Sequence, residues 1–175
     1  MNLKDAAEFI SFENKNRLPQ LWLDLGSGTG LFSLALARNL PVGSKIVAID
    51  KDENVLRKIP ATAGDVVIQT IAADFVRDVL DIKEVDGILI ANSLHYVKDK
   101  ETLLKKLISL MKRNGVFLIV EYDRKASNRW VPYPLTIDDA KALFKSLAYQ
   151  GFQVLDKRPS MFGEYYMYAA IIASG

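Results

Sequence analysis

Residues 21–30 read Leu21-Trp22-Leu23-Asp24-Leu25-Gly26-Ser27-Gly28-Thr29-Gly30. The first five, apolar except for one acid, are too short for a surface helix and stop at glycine, as a buried central strand does. Trp22 then belongs to the core. The three alternate glycines form a strand-to-helix turn whose missing side chains let backbone amides approach a ligand, with a helix N-terminus behind them. Alone, such a turn is no more than a tight loop, so its meaning depends on the chain beyond it.

Two further acids recur at intervals of about 25 residues, the length of one βα unit: Ile49-Asp50 and Ala73-Asp74-Phe75. Carboxylates that end successive parallel strands come side by side along the carboxyl edge of the sheet, where open α/β folds bind ligands. Asp50 can accept two hydrogen bonds from a ribose diol. Asp74 can accept from an adenine amino group while Phe75 packs on the base. The structural alternatives are a helix N-cap at Asp50 and a capping acid beside a core ring at Asp74-Phe75. Together the three signatures point to a nucleoside-like cofactor.

The rest of the chain keeps the strand-helix rhythm. Leu31 to Leu40 has helical spacing and stops at Pro41-Val42-Gly43. Lys45 to Asp50 reads as the second strand, Glu53 to Ile59 as a short helix, and Val66 to Ala72 as the third strand. Val85 to Ala91 follows as the fourth, Lys100 to Met111 as an amphipathic helix, and Gly115 to Tyr122 as the fifth strand, with Asn114-Gly115 as the turn before it. Residues 123–135 are polar, aromatic and proline-containing, an irregular loop where a strand hands over to a helix. Thr136 to Gln150 opens with a Thr-x-Asp-Asp N-cap pattern and gives a last helix; Phe152 to Lys157 and Glu164 to Ala173 are two final strands. The expected fold is α/β: a doubly wound, mostly parallel seven-stranded sheet with an antiparallel last strand and helices on both faces.

With 175 residues, half of them hydrophobic, the chain can bury a full core as a single domain spanning 1–175, with residues 1–20 as an N-terminal helix or lid. Lysine and arginine number 23 against 21 acids, so no strong field for nucleic acid follows. There is no cysteine and one histidine, which excludes disulfides, thiol catalysis and cysteine-ligated zinc and points to a metal-free, cytoplasmic protein. Neither a signal peptide nor an apolar run long enough for a membrane span is apparent.

At this point the chain resembles the class I S-adenosylmethionine-dependent methyltransferases over nearly all its length. Residues Asp24 to Gly30 look like that family's first motif, Val47 to Asp50 like its ribose-binding strand end, and Ala72 to Phe75 like its adenine-binding segment. Residues Asp86 to Val97 are similar to its fourth-strand motif, and Leu110 to Phe117 to the loop and strand that follow. The resemblance implies that Gly26, Ser27, Gly28 and Gly30 serve the methionine portion, with Asp24 shaping that pocket. Asp50 would hold the ribose hydroxyls, Asp74 and Phe75 the adenine, and Asn92 would lie near the amino-acid end or the sulfonium. Lys51 borders the adenine where the family more often places an apolar or small residue. A nicotinamide fingerprint would set the third glycine one residue later.

The cofactor implied is S-adenosylmethionine, with S-adenosylhomocysteine as product, and the function a methyl transfer to an oxygen, nitrogen or other nucleophile by in-line displacement. His95 is the candidate general base for a hydroxyl acceptor, with Tyr96 beside it; the alternative is that His95 only packs or caps. Tyr122, Arg124, Arg129, Trp130 and Tyr133, with Phe162 and Tyr165 from the last turn, are candidates for an aromatic, partly cationic acceptor pocket at the same edge. Most of Tyr165, Tyr166 and Tyr168 must be structural. A small-molecule acceptor is favoured because no element has room for an added recognition domain. The alternatives are an RNA or protein acceptor, with Arg124, Lys125, Arg129 and Trp130 serving phosphates and a base, or a non-catalytic S-adenosylmethionine binder.

Overall fold

The computed structural model describes residues 1–160 and 165–175. Its strands are β1 Leu21–Leu25, β2 Lys45–Asp50, β3 Thr62–Ala63, β4 Val66–Ala72, β5 Val85–Ala91, β6 Met111–Asp123, β7 Gly151–Pro159 and β8 Tyr166–Ala173. They form one sheet in the order β3-β4-β2-β1-β5-β6-β8-β7. Strands β4, β2, β1, β5 and β6 run parallel, whereas β8 is antiparallel to both its neighbours, so β7 runs with the parallel set. The sheet has eight strands, not the expected seven. The extra one is the two-residue β3, which turns back antiparallel on β4 through Gly64.

The helices are α1 Leu3–Phe9, α2 Leu31–Ala37, α3 Glu53–Leu56, α4 Lys100–Ile108 and α5 Ile137–Ser146. Alternate residues of each strand face opposite layers, as the period of two requires. Trp22, Ile46, Ala48, Leu89, Leu118, Val120 and Ala169 join α1 and α2 in one buried cluster. Leu23, Val47, Ile88, Ile90, Phe117 and Ile119 join Leu103, Leu104 and Leu107 of α4 and Phe144 of α5 in the other. The double winding is therefore carried by residues whose neighbours in sequence belong to different cores. Trp22 is 1% exposed, and its indole lies where any side chain on Gly87 would clash.

Several boundaries differ from the sequence reading. Helix α2 ends at Ala37 rather than Leu40, α3 at Leu56 rather than Ile59, α4 at Ile108 rather than Met111, and α5 at Ser146 rather than Gln150. Their closing residues tighten into i→i−3 turns, the Asn39 amide donating to the Leu36 carbonyl at 2.8 Å and the Ile59 amide to the Leu56 carbonyl at 3.0 Å. Asn114-Gly115 is not a turn before a strand. It lies inside β6, where pairing jumps from Val85↔Met111 to Gly87↔Val116 and the intervening residues bulge. No helix connects β4 to β5; residues 73–84 run as a loop begun by a turn at Asp74. The Thr136 cap behaves as read, its hydroxyl accepting the Asp139 amide at 3.1 Å.

Strand order reverses between β1 and β5: the chain steps outward from β1 through β2 to β4, then returns to β5 and continues to β6. At that switch point the two crossovers leave on opposite faces and a crevice opens above the strand ends.

Candidate functional site

The loop leaving β1 is held against β2. Amides of Gly26 and Ser27 both donate to the Ile49 carbonyl, at 2.8 and 3.1 Å. The Gly28 amide donates to Asp50 Oδ2 at 2.8 Å. Gly26 has φ +74°, and a Cβ there would stand 2.5 Å from the Cβ of Ser93, so the β1 and β5 loops approach this closely only with glycine. Ser93 closes the contact by donating its hydroxyl to the Leu25 carbonyl at 2.6 Å.

A cavity of about 470 Å³ opens over this junction, lined by Gly26, Asp50, Lys51, Asp74, Phe75, Asn92 and Tyr96 among others. Of the other expected cofactor residues, Asp24, Ser27, Gly28 and Gly30 are not part of that lining. Asp50 is not the helix cap: Asp52 caps α3, and Asp50 Oδ1 accepts the Asp52 amide at 3.0 Å while the carboxylate faces the cavity. Asp74 combines both readings. It lines the cavity and also accepts the Val76 amide at 3.0 Å, so it caps the turn that presents Phe75.

Around the glycine loop three polar atoms are buried with no hydrogen-bond partner among the described residues: Asp24 Oδ1, Ser27 Oγ and Asn92 Oδ1. Native proteins rarely leave such groups unpaired, and three within one loop junction mark a place built for a polar ligand. Burial pushes the Asp24 carboxyl up to about 7, against the lowering effect of the Ser33 hydroxyl donated at 2.5 Å and with added repulsion from Asp50. A cationic ligand at this loop would relieve that cost. Asn92 adopts φ +54°, a left-handed conformation that asparagine tolerates better than most residues, with its amide tied to the Val120 carbonyl at 2.8 Å. The residues present thus fit a ligand with a positively charged amino-acid end, a ribose and a flat base.

Asn92 and Tyr96 also border a second cavity, again of about 470 Å³, lined by His95, Tyr122, Asn128, Trp130, Val131 and Tyr165. Here His95 is 2% exposed and its Nδ1 lies 2.7 Å from Glu121 Oε2, while its amide donates to Glu121 Oε1 at 3.1 Å. Glu121 is fully buried at the end of β6. The contact leaves Nε2 as the ring nitrogen with no hydrogen bond among the described residues, on a side chain that lines the cavity. The neighbouring Tyr122 hydroxyl is held above its ordinary range by burial and, secondarily, by the Glu121 charge.

The loop after β6 is organised by Asn128, whose Oδ1 accepts the Trp130 and Val131 amides at 3.0 and 2.7 Å. The Tyr133 amide donates to the His95 carbonyl at 3.0 Å, joining that loop to the short 3-10 turn Leu94–Tyr96. Of the expected pocket residues, Tyr122, Trp130 and Tyr165 reach the second cavity. Arg124, Arg129 and Tyr133 are not in its lining: Arg124 stacks on the Tyr165 ring, Arg129 and Tyr133 are exposed, and Tyr133 lies under Lys100 with its ring centroid 5.6 Å from the ammonium. Phe162 lies outside the described residues. Tyr168 is buried, its hydroxyl donating to the Leu135 carbonyl at 3.1 Å, and Tyr166 is exposed; neither lines the second cavity. Glu121 was not anticipated from the sequence, although an acid closing the apolar run Val116 to Val120 was the signal for it.

Residues 23–119 match the family described as methyltransferase domain. An uncharacterized methyltransferase of Mycobacterium bovis is 30% identical over 103 residues, 59% of this chain and 51% of its own length. The chain thus spans about half the length of that curated relative. A carboxy-S-adenosyl-L-methionine synthase of Helicobacter hepaticus is 22% identical over 87% of this chain and 77% of its own. The fold is also that of magnesium protoporphyrin IX methyltransferase from Synechocystis PCC 6803, a structure with bound S-adenosylmethionine. That likeness has a TM-score of 0.63 at 15% identity, covering 91% of this chain and 72% of the other. With more than half of its residues inside the family match, the glycine loop at the switch point of the sheet among them, the chain belongs to the methyltransferase domain family.

Proposed function

We propose that the protein transfers a methyl group to a hydroxyl of a small-molecule acceptor seated in the His95 cavity. The observation that carries this reading is the buried His95–Glu121 pair, 2.7 Å apart, in a cavity that shares Asn92 and Tyr96 with the cavity over the glycine loop. In this reading Asp50 holds the ribose hydroxyls, Asp74 and Phe75 the base, with Lys51 bordering it. Gly26, Ser27, Gly28, Gly30 and Asn92 enclose the amino-acid end, and Asp24 balances its charge. When bound, S-adenosylmethionine supplies a sulfonium-activated methyl group. His95 accepts the acceptor's hydroxyl proton at Nε2. Glu121, across Nδ1, holds the tautomer that leaves Nε2 free and stabilises the imidazolium that results. Tyr96 stands between the two cavities and orients the acceptor toward the first.

The test is turnover, followed as S-adenosylhomocysteine release across a panel of small hydroxyl and amine acceptors. On an accepted hydroxyl substrate, His95→Gln should lower kcat by about a hundredfold or more. Glu121→Gln should lower it less and change the pH profile, with cofactor affinity retained in both. Full turnover in His95→Gln would remove the base and leave positioning alone as the catalytic contribution. Turnover on RNA, falling steeply with salt, would instead favour a macromolecular acceptor engaged through the exposed Lys125 and Arg129.

A further inference from the structure

Besides His95, the side chains lining the acceptor cavity include four aromatic rings, those of Tyr96, Tyr122, Trp130 and Tyr165. Three of them form a run with the imidazole. Centroid to centroid, the His95 ring lies 4.4 Å from that of Tyr96 and 5.8 Å from that of Tyr122, and Tyr122 meets Tyr165 edge-on at 5.6 Å. Trp130 stands apart from that run. It makes no ring contact with these residues, and it is 70% exposed although it lines the cavity.

The backbone beneath Trp130 is held firmly. Residues 128–131 form a turn in which Asn128 Oδ1 accepts the Trp130 and Val131 amides and the Asn128 amide donates to the Val131 carbonyl at 3.1 Å. Val131 is buried, and the Tyr133 amide ties the same loop to the His95 carbonyl. A large indole is thus set in the cavity wall on a hydrogen-bonded turn, with most of its surface left in water. A flat ring laid against it would bury that surface, and ring-on-ring contact favours a planar partner over a puckered one.

Proton transfer to His95 favours the same class of acceptor. A phenol, with an ordinary pKa of about 10, gives up its proton far more readily than an aliphatic alcohol, which is close to water at roughly 16. An imidazole base is correspondingly better matched to a phenol.

We propose that the acceptor is a phenol, a planar aromatic ring that stacks on Trp130 and presents its hydroxyl to His95. This rests on the acceptor cavity assigned above. In the transfer the phenol oxygen bonds to the methyl carbon and the carbon–sulfur bond breaks to leave S-adenosylhomocysteine. The phenolic proton passes to His95 Nε2 and from there to solvent. Trp130 is then a specificity-determining residue that touches the acceptor's ring rather than its reacting oxygen.

The experiment uses the intact protein saturated with S-adenosylhomocysteine and titrated calorimetrically with 2-naphthol and with decahydro-2-naphthol, a saturated, puckered alcohol on the same carbon skeleton. The saturated alcohol is no less apolar, so hydrophobic burial alone gives 2-naphthol no advantage. The wild type should bind 2-naphthol about three- to tenfold more tightly. Trp130→Ala should abolish that preference without changing the affinity for S-adenosylhomocysteine, and Trp130→Phe should keep part of it. With S-adenosylmethionine, 2-naphthol should yield its methyl ether with a kcat/KM at least about tenfold above that of the saturated alcohol. Failure of both alcohols to bind, equal or weaker binding of 2-naphthol in the wild type, a preference that survives in Trp130→Ala, or equal or faster methylation of the saturated alcohol would overturn the proposal. The wild-type comparison decides even if Trp130→Ala does not fold. The expected binding preference with neither alcohol methylated would instead overturn the hydroxyl-transfer reading on which the proposal rests. Failure of S-adenosylhomocysteine itself to bind is a separate readout, and it would overturn the underlying site reading.

Discussion

Asp24 carries the largest upward carboxyl shift in the glycine-loop junction, a side chain 1% exposed with one oxygen paired to Ser33 and the other unpaired among the described residues. Its proton is bound more tightly in the folded protein, near 7, than in the unfolded chain, near 3.8. Below pH 4 both states are protonated and the group is neutral to stability. Between pH 4 and 7 the unfolded chain ionises first, so stability falls as pH rises, and above about 7 the loss levels off. From this group alone the fall is on the order of 4 kcal/mol. Melting the ligand-free protein from pH 4 to 8 checks it: Asp24→Asn should flatten that part of the profile, and an unchanged slope would contradict the assignment. A cation bound against Asp24 should also draw off its proton, so binding near pH 7 should release a proton visible as a buffer-dependent heat. At this scale Asp24, Asp50, Phe75 and Asn92 could be singled out because each lies within three residues of the end of a strand. Glu121 and Asn128 were not, because their roles arise from contacts across the sheet and within an irregular loop.

The loop from β4 to β5 is the element that departs most from the βα rhythm. Lacking a helix of its own, it is pinned by one from elsewhere: Lys106 of α4 donates to the carbonyls of Phe75 at 3.1 Å and Asp78 at 2.5 Å, with Val76 at 3.4 Å. Lys106 does not line the glycine-loop cavity, yet it fixes the backbone that presents Asp74 and Phe75 to it. Lys106→Met, which keeps the stem and deletes the donors, should weaken S-adenosylhomocysteine binding roughly three- to tenfold by calorimetry, with α4 still folded by circular dichroism. An unchanged affinity would show that the turn at Asp74 suffices. Strands such as Val66–Ala72 and Val85–Ala91 could be read to the residue, since β-branched and other apolar residues dominate both despite Gln69 and Asp86 within them. The bulge at Asn114-Gly115 could not, because the same dipeptide suits a turn or an irregular strand and only pairing with Val85 and Gly87 decides.

Over the whole molecule, two cores on opposite faces clamp one sheet, and the reversal of strand order between β1 and β5 leaves the crevice where Gly26, Asp50, Asp74, Phe75 and Asn92 collect. That much followed from the order of elements in the chain, since right-handed crossovers and a final antiparallel strand allow few arrangements. The eighth strand did not: a two-residue pairing such as Thr62–Ala63 with Val66 and Val67 leaves no periodic trace. The central claim is that this crevice binds S-adenosylmethionine and its product. Calorimetric titration of the purified protein with S-adenosylhomocysteine, and with NAD as the competing nucleotide, tests it most directly. Saturable binding of S-adenosylhomocysteine at one site per chain and none of NAD is the predicted result; no binding of S-adenosylhomocysteine, or binding of NAD in its place, would contradict the account.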